Sequence, residues 1–192
     1  VRGKERIFEI GYTIEFYPEE GKYHFTGHRN CGVSYDPEQD RTKGTTCPKC
    51  GRELTVGVMH RVEELADFEE KNYEFEKDVN GVTWVKDPTG VRPPYVSLVP
   101  LLEILKEALN SGLTSQKVIA EFDKLVAHFG SEHEVLFRVH RDELQKVTSE
   151  KIVEAIYKVR DRSINIKPGF DGEYGIVSIW DEEALKPLAS LF

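Results

Sequence analysis

Apolar and polar residues change their spacing along the chain, which separates a β-patterned first part from a helix-patterned second part. From Ile7 to Tyr17 β-branched and aromatic residues recur, Pro18 to Gly21 has turn chemistry, and Lys22 to Thr26 resumes as a strand, so a β-hairpin is predicted here. Ser34 to Thr46 reads as a polar loop, Leu54 to Val58 as a short strand, and His60 to Phe68 as a helix. From Asn72 to Pro94 the pattern turns irregular, punctuated by Asn80-Gly81, Asp87-Pro88, Thr89-Gly90 and Pro93-Pro94. Beyond it, Leu98, Leu101, Leu102, Leu105, Ala108 and Leu109 share one face of a helix that closes at Gly112. Thr114 can cap a second helix, in which Val118, Ile119, Phe122, Leu125, Val126 and Phe129 repeat until Gly130, and the short link predicts an antiparallel pair. Val135 to Val139 reads as a strand, Arg141 to Val147 as a short helix, and Ser149 to Arg160 as a third amphipathic helix. Ile164 to Ile166 and Ile176 to Trp180 read as strands of a closing hairpin around the glycine-rich stretch 168–175.

The pattern predicts an α+β fold: a small β-rich, zinc-ribbon-like domain over residues 1–68, a linker over 69–97, and a mostly helical domain over 98–192 that ends in a β-hairpin. A chain of 192 residues has room for this, and 39% apolar with 31% charged residues is an ordinary globular composition. No run of about eighteen apolar residues and no charged-then-apolar leader occurs, so neither a membrane span nor a secretory signal is expected. A cytoplasmic location follows as the expectation, since the three cysteines suit metal ligation in a reducing compartment better than disulfides. The first residue is Val1, which points to a piece of a longer polypeptide or to loss of a first residue.

All three cysteines fall in one frame. Cys47-Pro48-Lys49-Cys50-Gly51 is a C-x-x-C-G knuckle, and His28-Arg29-Asn30-Cys31-Gly32 repeats it with histidine in first place. Thiolates and neutral imidazole are good Zn²⁺ ligands, and two such pairs supply a tetrahedron with no position left for substrate. A structural zinc held by His28, Cys31, Cys47 and Cys50 is therefore expected, with His24 and His60 as rivals to His28 for the fourth place. Catalytic motifs are scarce. The H-x-E of zinc deaminases is missing, the proline lies inside the cysteine pair rather than before it, and no Walker-type, G-x-S-x-G or H-E-x-x-H motif occurs. His60 and Glu63 lie one turn apart on the expected helix, an arrangement that a solvated helix start explains as well as a metal or base does.

Net charge of −8 argues against nucleic-acid binding by bulk electrostatics. Its distribution is uneven: residues 60–80 carry eight acids against three bases, whereas 133–167 carry eight Lys or Arg against six acids.

The run from Tyr12 to Val33, the Cys47 knuckle and the run from Leu54 to Asp67 resemble the region that follows the catalytic domain in the endonuclease Q family. The likeness continues through Arg92-Pro93-Pro94-Tyr95-Val96, the helical pair and Lys167 to Gly175, and so covers nearly the whole chain. In that family, archaeal and in part bacterial, an N-terminal polymerase-and-histidinol-phosphatase domain precedes a zinc-binding and a mostly helical domain. Its members nick DNA on the 5′ side of deaminated bases such as uracil and hypoxanthine, and at abasic sites. The resemblance implies that His28, Cys31, Cys47 and Cys50 hold structural zinc, that no catalytic residue lies in this chain, and that the nuclease domain belongs upstream of Val1. The chain itself would grip double-stranded DNA and frame a pocket for an everted deaminated base.

Arg29, Lys43, Lys49 and Arg52 would meet phosphates from the knuckles. The backbone of Val56, Gly57 and Val58, beside Met59, His60 and Arg61, is the surface expected to test a base, with Gly57 permitting close approach. Two other classes compete. One is a zinc-stabilised interaction or scaffold module accessory to a helicase or another nucleic-acid enzyme, docking through the acidic 60–80 segment. The other is a standalone hydrolase using His60 and Glu63.

Overall fold

The computed structural model describes residues 9–66 and 73–180. Its elements are strands β1 (Thr13–Glu15), β2 (Thr26–His28), β3 (Val33–Tyr35), β4 (Glu74–Lys77), β5 (Thr83–Lys86), β6 (Tyr95–Ser97), β7 (Asn165–Lys167) and β8 (Ile176–Ser178), and helices α1 (Pro37–Lys43), α2 (Val58–Leu65), α3 (Leu101–Ala108), α4 (Gln116–Phe129), α5 (Glu132–Phe137), α6 (Arg141–Val147) and α7 (Glu150–Arg160). The α+β class holds.

One sheet, ordered β1-β6-β5-β4, gathers strands from both sides of residues 67–72. β1 does not pair with residues 22–26 in the expected hairpin. It runs parallel to β6, with Ile14 opposite Val96, while a 3₁₀ turn at Pro18–Glu20 carries the chain away. The described part of the 69–97 stretch, expected as a linker, holds three of these strands. β4 and β5 form a hairpin whose turn is closed by Asp78: its Oδ1 accepts the amides of Asn80 and Val82 at 2.8 and 3.0 Å, and its Oδ2 accepts the Trp84 indole N–H at 3.1 Å.

Helices α3, α4, α5 and α7 pack together and the sheet lies against them. Ser115 caps α4 by accepting the Val118 amide, and Gly130 ends it at φ 94°. Val135 to Phe137 lie in helix α5 rather than the expected strand, because Ser131 accepts the Glu134 amide and starts a helical turn in which all three residues face the core. The core runs from Tyr17 through Val82 and Val96 to Ile104, Leu125, Ile156 and Ile179.

Arg160 is fully buried at the end of α7. Its guanidinium donates to the carbonyls of Leu136, Asn80, Val135 and Val139 at 2.8 to 2.9 Å and lies 4.7 Å from the Tyr157 ring centroid. Burial pulls its pKa below the usual arginine value, yet arginine keeps its charge in proteins. It thus satisfies carbonyls at the end of α5 and ties them to the β4–β5 turn.

A smaller cluster of Val33, Tyr35, Cys47 and Leu54, with Cys31 against it, forms a second core in the knuckle lobe. Four buried side chains are too few to hold a lobe of this size by apolar burial alone. Asp36 and Pro37 start α1 between the knuckles, where a polar loop is expected, with Asp36 Oδ1 accepting the Gln39 amide at 2.8 Å.

Candidate metal centre and nucleic-acid interface

Each knuckle turns on a glycine in the left-handed region, Gly32 at φ 58° and Gly51 at φ 73°, which is why both frames end in glycine. The turns close through Gly32 N–H to Arg29 O at 3.0 Å and Gly51 N–H to Cys47 O at 2.9 Å. The β2–β3 pair frames the first knuckle, and the bridge between Gly27 and Thr55 brings it against the second. One ligand atom each from His28, Cys31, Cys47 and Cys50 then lies within 4.8 Å of the others. A tetrahedron with metal–sulfur bonds of about 2.3 Å has edges of about 3.8 Å, so the four donors are spaced to close on one ion. Lys49 Nζ donates to Cys31 O at 2.6 Å and so links the two knuckles. Thiols packed this closely compete for protons. Burial and the neighbouring sulfurs push Cys31 up to about 11, whereas Cys47, despite its burial, is held down to about 6 by hydrogen bonds from His28 and from the Lys49 and Cys50 amides. A soft cation among them relieves that competition.

The rival histidines go elsewhere. His24 is buried against the Phe25 ring, with centroids 4.8 Å apart. His60 Nδ1 lies 2.8 Å from Asp40 Oδ2 and its Nε2 3.4 Å from Glu64 Oε1. Asp40 was not legible as a site residue, since nothing in its sequence neighbourhood marks it as buried. It is 4% exposed, its Oδ2 also accepts the Thr26 hydroxyl at 2.7 Å, and its Oδ1 has no hydrogen-bond partner among the described residues. This network joins β2, α1 and the start of α2.

The expected base-testing surface divides. Gly57 is buried, and a Cβ there would lie 2.2 Å from the Phe25 carbonyl carbon. Its missing side chain admits the neighbouring backbone rather than a ligand, and its N–H donates to Thr26 Oγ1 at 3.0 Å. Val56 and Val58 beside it are exposed. Arg61 is exposed and paired with Glu64 at 2.7 Å. Arg29, Lys49 and Arg52 are exposed on the knuckles. Glu63 points to Arg41 at 3.7 Å rather than to His60. Glu69 and Glu70, central to the acidic docking segment, lie outside the described residues.

The glycine-rich loop 168–175 completes the surface. It runs beside residues 19–25: Gly169 N–H donates to Glu19 O at 2.8 Å, Phe25 N–H to Gly169 O at 3.0 Å, Gly172 N–H to Lys22 O at 2.9 Å and Gly175 N–H to Glu20 O at 3.0 Å. A Cβ on Gly175 would lie 2.0 Å from Glu19 O, so this approach demands glycine. Asp171 caps the first knuckle, accepting the Arg29 amide at 2.7 Å and the Thr55 hydroxyl. Burial raises its carboxyl pKa, but these bonds and the Arg29 charge outweigh that and hold it below the usual range. The sequence showed the carboxylate; the role depends on a contact 142 residues away.

Comparison with known proteins is consistent along the chain. Residues 100–163 match the family model described as the MJ0043 C-terminal domain. The chain is 34% identical over 161 residues to uncharacterized protein MJ0043 of Methanocaldococcus jannaschii, covering 84% of this chain and 18% of that protein. It is 30% identical over 159 residues to uncharacterized protein YqxK of Bacillus subtilis, covering 82% and 33%. Among solved structures, the lesion-specific endonuclease PfuEndoQ from Pyrococcus furiosus superposes with a TM-score of 0.68 at 31% identity, over 91% of this chain and 39% of that one. An endonuclease Q in complex with a 27-mer duplex substrate with an abasic lesion at the active site gives 0.65 at 32% identity, over 96% and 42%. The chain spans a third or less of the curated relatives' length. In sequence and in fold, the chain resembles a region of endonuclease Q that amounts to about two fifths of that protein.

Proposed function

We propose that this chain is the DNA-binding and damaged-base-recognition region of an endonuclease Q-like repair nuclease that nicks on the 5′ side of a deaminated base, uracil or hypoxanthine, or at an abasic site. The observation that carries this is the likeness, over nearly the whole chain, to an endonuclease Q in complex with a lesion-bearing duplex. His28, Cys31, Cys47 and Cys50 hold Zn²⁺. With four protein donors and no open position, zinc supplies a fold and no chemistry. Arg29, Lys49 and Arg52 meet phosphates, while His60, fixed by Asp40, and Arg61 border the place where an everted base is tested. Gly57 serves from beneath, by letting α2 start close against β2. The chain contributes no catalytic residue, and its closely set thiols suit the reducing cytoplasm.

The test mixes zinc-loaded chain with two labelled duplexes, one undamaged and one with a single hypoxanthine, and scores binding and nicking at low and moderate salt. Preference for the hypoxanthine duplex without nicking supports the proposal. Binding to neither duplex overturns it. A second reading, a zinc-stabilised protein-docking module, is favoured by one observation: Val58, Val62 and Leu65 leave an apolar stripe of α2 exposed. That reading gains if both duplexes are ignored.

A further inference from the structure

Beside Arg29, three further side chains, Lys22, Tyr23 and Tyr174, gather where residues 22–29 meet the loop 168–175. Tyr174 is 73% exposed and Tyr23 45%. Lys22 Nζ lies 5.4 Å from the Tyr23 ring centroid and 5.7 Å from that of Tyr174, so one cation serves both rings. The Arg29 guanidinium is close by: its Nη1 lies 3.3 Å from where a Cβ on Gly172 would stand, and Tyr23 Oη lies 3.9 Å from the same point. Arg29 and Tyr23 meet over a residue without a side chain, and Lys22 links the Tyr23 ring to that of Tyr174.

The backbone beneath is held by the Gly169, Gly172 and Gly175 hydrogen bonds and by Asp171 on the first knuckle. An exposed ring on so firmly held a loop gains little from burial and is fixed in place in advance, as a binding surface requires. Flat π faces beside positive charge complement a nucleobase and its phosphates. An acidic protein segment would use the cations and leave the rings idle.

We infer that Lys22, Tyr23, Arg29 and Tyr174 form a stacking site for an unpaired stretch of nucleic acid strand, the rings taking bases and the cations the flanking phosphates. This deepens the DNA-binding reading and rests on it. The site is distinct from the surface around His60.

The experiment measures anisotropy of a labelled oligothymidylate and of a fully paired duplex with the zinc-loaded full chain and its variants Tyr174→Ala, Tyr174→Phe, Tyr23→Ala, Lys22→Ala and Arg29→Ala, with zinc content as the check on folding. Tyr174→Ala should weaken single-strand binding about tenfold, within the range for one stacked base. Tyr174→Phe should keep it, and the paired duplex should change less. An oligonucleotide carrying 5-iodouracil should photocrosslink to Tyr174 or Tyr23. Wild-type affinity in both alanine variants, with duplex binding intact, overturns the stacking site and leaves the DNA-binding reading standing. Loss on Lys22→Ala and Arg29→Ala alone also overturns it, since charge would then suffice. Binding to no DNA of either kind overturns both.

Discussion

Arg160 shows how much one side chain can hold. It meets four backbone carbonyls, so truncation leaves acceptors from α5 and the β4–β5 turn unpaired together. Arg160→Met should destabilise the helical half by about 3 kcal/mol, the upper end of the range for leaving a buried acceptor unpaired. The urea midpoint of helix loss measures it. His24 makes a pH prediction. Burial lowers its pKa, opposed by the Glu19 charge and a hydrogen bond with the Pro18 carbonyl. The unfolded chain, titrating near pH 6.5, then binds the proton more readily than the folded one. His24's contribution to stability is complete above about pH 6.5 and is lost as pH falls through that value toward the depressed folded one. Titration of the metal ligands adds its own slope, so the comparison is between wild type and His24→Gln: the variant should lose less melting temperature between pH 7 and 5.

Elements differ in how far their own residues decide them. The helices of the second half other than α5 were legible because each carries an apolar face and α4 a clear stop: Val118, Phe122 and Leu125 face inward, and Gly130 ends the helix. α5 was misread because Val135-Leu136-Phe137 is a short apolar run that suits strand or helix alike, and only the Ser131 cap decides it. β1 was misread in its partner, since a parallel neighbour 82 residues away leaves no local trace. The knuckles were legible because metal spacing is local; the Asp40 and Asp171 contacts were not, because they are long-range. The knuckle lobe makes the element-scale prediction. Its core is too small without metal, so a chelator should release amide protection over residues 26–55 while α3, α4 and α7 stay protected in hydrogen exchange. Cys50→Ser should behave in the same way and lower the bound metal.

At the scale of the whole molecule, a chain of net charge −8 must bind DNA locally or not at all. Its affinity should therefore fall steeply with salt, and each cation that meets a phosphate should contribute about one to the slope of log affinity against log salt. Arg61 already has Glu64 at 2.7 Å. Arg52→Ala should accordingly flatten the slope by about one, and Arg61→Ala by less, in titrations from low to moderate salt.

The loop 168–175 ties the ends of the described chain together, since Asp171 caps a knuckle that begins at His28. During synthesis the ribosome makes His28, Cys31, Cys47 and Cys50 well before the carboxylate that caps the first knuckle. The nascent lobe can take its metal at once, but its outer rim stays open until Gly175 has left the exit tunnel. A nascent chain halted between α7 and that loop would carry every metal ligand and still lack the finished surface.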